Sequence, residues 1–199
     1  MGYLMEATID CKHGIVIGVD IFPANEKESL LALRHLEQQQ KLLGLSIEKV
    51  TLDREYDTGA VHRGLKLLGT IGYVPAVRFP NDPSKYGFSY CPQQDTFICP
   101  KGQSLVYHRL NCNKSTGKYL RCYQVQGDVC RKCTSRKSCF DTAGVRRRIL
   151  ASSCYPSFYR GHLRVNTPEY LYMMRKRKIR AEGSFAVMKR EHNLSRIRK

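Results

Sequence analysis

Two acids and a group of cysteines are the residues of this 199-residue chain best suited to chemistry. Asp53 follows the run 47–52 (IEKVTL), which reads as a short strand, so its carboxylate is expected at a strand's C-terminal end. Glu182 lies in a long basic segment of helical character. Two such carboxylates can meet across a sheet despite the 128 residues between them. Converging carboxylates hold divalent ions that activate an attacking oxygen and stabilise a leaving one, as phosphodiester chemistry requires. Mg²⁺ (or Mn²⁺) suits such a site, because it takes few carboxylates and keeps positions for water and phosphate. Positions 178, 182, 185 and 189 are spaced by four, three and four, which places Lys178, Glu182, Phe185 and Lys189 on one helical face. An acid between two cations can bind metal and phosphate together. The same pattern also describes a solvated charged face. Asp57 is expected to cap the following helix, and Glu55 is a weaker alternative ligand.

Seven of the nine cysteines fall between Cys91 and Cys139. Cys130 and Cys133 form a C-x₂-C pair, a spacing that can fill two adjacent corners of a zinc tetrahedron. Cys139 is expected as a third ligand and Cys122 as the fourth, with Cys112 and Cys99 as the other candidates. Reduced, semi-buried thiols are the simpler alternative. Arg131, Lys132, Arg136 and Lys137 would make such a knuckle basic and suited to phosphate. His108 is more ordinarily a surface residue.

The elements that must position these residues fall into three zones. In 1–79, a strand at 3–10, a turn at Lys12-His13-Gly14 and a strand at 15–22 suggest a hairpin. Asn25 and Glu28 make a capping-box pattern ahead of a leucine-rich helix that Gly44 stops. The strand ending at Asp53, a helix through Leu65, Leu67 and Leu68, and a strand at 72–77 follow. Zone 80–148 has no helical period and reads as an insertion held together by something other than an apolar core. In 149–199, Thr167-Pro168-Glu169 is a helix start, and one long helix is expected from there to about Glu191. Tyr155, Phe158 and Tyr159 could stack on bases, although core packing is the better expectation for at least one of them.

The bulk numbers point to the partner. Thirty-four Lys+Arg against 17 Asp+Glu give a net charge of +17, which favours a polyanion. The basic runs 146–148, 175–180 and 196–199 then read as a backbone track, with Arg175, Lys178, Lys189 and Arg196 as phosphate contacts. No apolar run is long enough to span a bilayer, and no membrane partner is expected. Clustered cysteines without a secretory signal suggest a reducing, cytoplasmic setting.

Leu52-Asp53-Arg54-Glu55-Tyr56-Asp57, with His62-Arg63-Gly64-Leu65 and Gly72-Tyr73-Val74-Pro75 after it, resembles the second-aspartate motif of DDE insertion-sequence transposases. Glu182-Gly183-Ser184-Phe185 with Lys189 resembles that family's glutamate motif, with Lys178 at the basic position four residues before the Glu. The family's tyrosine is replaced by Arg175. The resemblance implies an α/β fold: an incomplete RNase H-like core, a mixed sheet with flanking helices, interrupted by a Cys-rich, zinc-binding insertion. It also implies catalytic Asp53 and Glu182, Mg²⁺ (or Mn²⁺), and DNA as partner, both transposon ends and target. The complete parent would act as an oligomer on DNA. The first aspartate belongs on a strand that would precede the hairpin, so residues 1–199 are expected to be a C-terminal fragment, inactive alone. The alternative is a non-catalytic zinc-knuckle DNA-binding protein.

Overall fold

The computed structural model describes residues 3–26, 28–77, 82–139 and 146–191. The chain is α/β and divides into two compact units, residues 1–76 with 161–199, and residues 77–160.

In the first unit, β1 (Tyr3–Asp10) and β2 (Ile15–Pro23) form the expected antiparallel hairpin. Asp10 closes its turn by accepting from the Lys12 amide at 2.8 Å and pairing with His13 at 2.5 Å. Helix α1 (Glu28–Leu43) follows, and Gly44, in the left-handed region at φ +63°, ends it. The Asn25–Glu28 capping pattern spans Lys27, outside the described residues. Leu31, Ala32, His35, Leu36 and Gln39 recur at helical spacing and are all buried. His35 is bonded on both ring nitrogens, to Thr8 of β1 at 2.7 Å and to Asp20 of β2 at 2.5 Å, which ties the helix to the hairpin. Satisfying both nitrogens removes the penalty of burying the ring.

Strand β3 (Lys49–Thr51) runs parallel to β4 (Ile71–Tyr73), and the Leu52 amide extends the pairing to the Tyr73 carbonyl at 3.1 Å. Between them lies α2 (Gly59–Leu67), a right-sized crossover for parallel strands. Ala32, Leu36, Tyr56, Val61, Leu65 and Val74 make the core of this unit. Among the described residues the hairpin and the parallel pair are separate two-stranded sheets, where one mixed sheet was expected. The strand expected at 72–77 is only three residues long.

Helix α5 (Pro168–Arg177) starts as expected: Thr167 accepts from the Tyr170 amide at 3.2 Å and Pro168 stands in the first turn. It packs against β3 and β4, with Lys49 bonded to Glu169 at 2.7 Å. It does not continue as a uniform α-helix. Residues Lys178–Glu182 form a π-helical turn, and α6 (Gly183–Glu191) follows.

The second unit overturns the expectation of a segment without an apolar core. Strands β5 (Ser89–Cys91), β6 (Thr96–Ile98), β7 (Ser104–Asn113), β8 (Lys118–Val125) and β9 (Arg148–Ser152) form one antiparallel sheet in chain order. Alternate residues Leu105, Tyr123, Val125, Ile149 and Ala151 are buried with Phe88, Tyr90 and Phe97. Tyr90 stacks on Phe97 at 5.0 Å and on Tyr155 and Tyr159 of α4 (Tyr155–His162) at 4.9 Å each, so core packing is the role of both tyrosines. Asp95 accepts from the Tyr90 hydroxyl at 2.6 Å and the Tyr123 hydroxyl at 2.7 Å, and Arg121 pairs with the same carboxylate. Burial and that carboxylate push the Tyr123 phenol up to about 12. Between β8 and β9 lies the single-turn helix α3 (Arg136–Cys139). No helix of the described residues is long and apolar enough to cross a membrane.

Candidate active site

Asp53 stands where the β3 ladder ends. Its backbone is extended (φ −71°, ψ 163°) and opens a single 3₁₀ turn, Arg54–Tyr56, without a side-chain capping bond. The carboxylate therefore points away from its own turn, and its side chain is 64% exposed. Tyr56, at the end of that turn, is buried and donates its hydroxyl to Glu6 of β1 at 2.6 Å, which anchors the turn from behind.

Arg177 closes the arrangement. One guanidinium nitrogen pairs with Asp53, and the other lies 3.3 Å from Glu182. The two acids chosen from sequence thus share one cation, although 128 residues separate them. Arg177 precedes Glu182 by five positions, which is the π-helical repeat. In a uniform α-helix, residues five apart are rotated well off each other, and Lys178 would be the neighbour of Glu182. The π turn substitutes Arg177, while Lys178 is exposed. Arg177 is the residue that sequence reasoning missed, because a 3.6-residue period cannot single it out.

Two mainly exposed carboxylates held beside each other need positive charge between them. The guanidinium supplies it, and the oxygens are hard donors of the kind that divalent cations take. From Pro168 to Glu191 the chain carries seven Lys or Arg against three Glu. Arg175, Lys178 and Arg180 are exposed. The side chains of Phe185 and Lys189, and all of Arg196, lie outside the described residues.

Asp57 is not the helix cap. Thr58 caps α2, accepting from the Val61 amide at 3.3 Å. Asp57 is instead buried, with the Nε2 atoms of His62 and His162 at 2.8 Å and 2.9 Å from Oδ1. His162 comes 105 residues later, so nothing local announces the pairing. Gly161 makes room for it: a Cβ there would stand 2.3 Å from the His62 ring. Gly161→Ala is expected to cost about 1–3 kcal/mol by displacing that ring, read as a lowered unfolding midpoint in denaturant.

All nine cysteines are free thiols. Cys130 and Cys133 share a tight turn, the Cys133 amide lying 3.3 Å from the Cys130 carbonyl. Cys139 ends α3. Burial pushes its thiol up, and so do the neighbouring Cys130, Cys99 and Cys133. Cys99 sits in a Cys-Pro-Lys-Gly turn, and its sulfur accepts the Lys101 and Gln103 amides at 3.4 Å and 3.3 Å. Cys122, expected as the fourth ligand, is buried on β8 opposite Leu150, and Cys112 is exposed on β7. Among the described residues, only Asp57, His62 and His162 bring three candidate metal-ligand atoms within 4.8 Å of one another; the cysteine group is looser.

A family model described as a transposase DDE domain matches residues 98–199, just over half of the chain. The match takes in Glu182 and the Cys99–Cys139 group, while Asp53 lies before it. No curated protein and no solved structure matches the chain.

Proposed function

The chain belongs to the transposase DDE domain family, and we propose from that premise that Asp53 and Glu182 are two of the acids that hold the catalytic metal for DNA strand cleavage and transfer at the ends of an insertion element. One observation carries the reading: both carboxylates meet on the Arg177 guanidinium. Mg²⁺ (or Mn²⁺) bound there would activate the attacking oxygen and stabilise the leaving one. The chain's own residues do the rest. β3 and the Arg54–Tyr56 turn fix Asp53, the π turn aims Glu182, and Arg177 offsets part of their combined negative charge before an ion arrives. Arg175 and Lys178, exposed on the same helical segment, contact the DNA backbone, joined by Lys189 and Arg196.

Magnesium-dependent cleavage that prefers the element's terminal repeats to random DNA, by a complete protein carrying this chain, is the expected result. DNA binding indifferent to Mg²⁺, with no cleavage by that complete protein, would overturn the proposal.

We further propose that four of the cysteines draw together around a structural zinc. The sulfur of Cys99, turned toward two amides, is disposed as a thiolate ligand, and Cys99, Cys130 and Cys133 each raise the Cys139 thiol electrostatically. These four are the set we propose, with Cys99 in place of Cys122. Elemental analysis of the purified chain should show about one equivalent of zinc that is lost in Cys130→Ser and kept in Cys122→Ala. Zinc lost equally from both variants would restore Cys122 to the set.

A further inference from the structure

The buried group of Asp57, His62 and His162 shares no residue with either site just described and is unexplained by both. The Asp57 side chain is fully buried and that of His62 nearly so, while His162 keeps 25% of its side chain exposed. His62 Nε2 lies 2.8 Å from Asp57 Oδ1, and His162 Nε2 lies 2.9 Å from both Oδ1 and Oδ2. The ligand atoms of all three lie within 4.8 Å of one another. The rings stand edge to face, 6.0 Å between centroids.

We propose that this group is a binding site for one transition-metal ion of the zinc class, distinct from the Asp53–Glu182 pair. The donor set carries the assignment. Two imidazoles and one carboxylate suit zinc and its neighbours, whereas Mg²⁺ favours oxygen alone. Tetrahedral ligand atoms about 2.0–2.1 Å from one ion stand about 3.3 Å apart, so the 2.8 and 2.9 Å contacts seen here need to open by only about half an ångström to admit one. Both histidines turn the same nitrogen, Nε2, toward one carboxylate, as ligands of a shared centre do. Without an ion, an N–H proton on each Nε2 fills that role by hydrogen bonding to Asp57. Metal binding then requires each ring to move that proton to Nδ1 or release it, leaving the Nε2 lone pair for the ion. The exposed side of His162 gives the ion its entry and leaves room for water.

The site would act as a clamp. Asp57 follows directly on the turn that Asp53 opens, His62 lies on α2, and His162 ends α4 just ahead of α5. One ion would bind the Asp53 turn to the chain leading into the helix that bears Arg177. The proposal stands whether or not Asp53 and Glu182 prove catalytic.

The test is ring-nitrogen NMR on the full chain, labelled with ¹⁵N-histidine, stripped of metal and titrated with Zn²⁺. His62 and His162 are expected to lose their Nε2–H signature and become Nδ1–H tautomers with Nε2 on the metal. Co²⁺ in place of Zn²⁺ should broaden those two rings most. His162→Gln should abolish the change at His62. Should that variant fail to fold, the wild-type titration decides by itself. Nε2 atoms that stay protonated at saturating Zn²⁺, or changes confined to exposed His13 and His108, would overturn the site. Zinc held by the cysteines leaves this readout untouched, since it reports the imidazoles alone.

Discussion

Asp53→Asn and Glu182→Gln, each placed in a transposition-competent protein that carries this chain, are expected to lower strand cleavage by at least about 1,000-fold. Both substitutions keep side-chain size and remove the charge. Each takes away one anionic oxygen donor from the proposed ion, and hard cations depend on that charge. Both side chains are largely exposed, so neither change should disturb packing. DNA affinity should hold or rise slightly, because each variant removes a negative charge from a basic surface. The measurement is cleavage of end-sequence DNA, with filter or gel-shift binding in parallel. Cleavage within tenfold of wild type in either variant contradicts the assignment. Binding lost together with cleavage would point to a structural role.

Phe97→Ala is expected to destabilise the unit formed by residues 77–160 by about 3–5 kcal/mol. Phe97 is 1% exposed and stacks on Tyr90 and Tyr123 at 5.0 Å each and on Tyr155 at 5.2 Å. Truncation removes the ring and leaves a cavity bounded by other rings, which cannot collapse into it easily. Zinc alone holding this unit together would make the substitution nearly silent while zinc remains bound. The two accounts separate in a denaturant titration of the zinc-loaded chain. A loss below about 1 kcal/mol would return the unit to a metal-held insertion.

These outcomes bear on what a single sequence discloses. Local signals read well. Thr167 and Pro168 start α5 because capping and a fixed φ act within one turn. The turn after Asp10 and the glycine after α1 are equally local. Asp53 was legible as a strand-end acid, since an apolar-leaning run stops there. The aromatic core of the second unit was hidden because its strands β5 and β6 are three residues long and its rings are interleaved with Cys, Lys and Gln. The alternation of Leu105, Tyr123, Val125, Ile149 and Ala151 was present but spread over three strands. Arg177 was hidden for a geometric reason: a π turn is a departure from the period used to find faces. Asp57 looked like a cap because Asp before a helix ordinarily is one, and its partner His162 is 105 residues away.

Whether Asp53 and Glu182 hold one metal centre is read from the position of Mn²⁺ in a crystal of a complete protein carrying this chain, bound to its end DNA. A manganese anomalous peak coordinated by carboxylate oxygens of both Asp53 and Glu182 is expected, with Arg177 displaced from at least one of them. Manganese bound elsewhere, or the two side chains turned to opposite sides with Arg177 still paired to one alone, would contradict it.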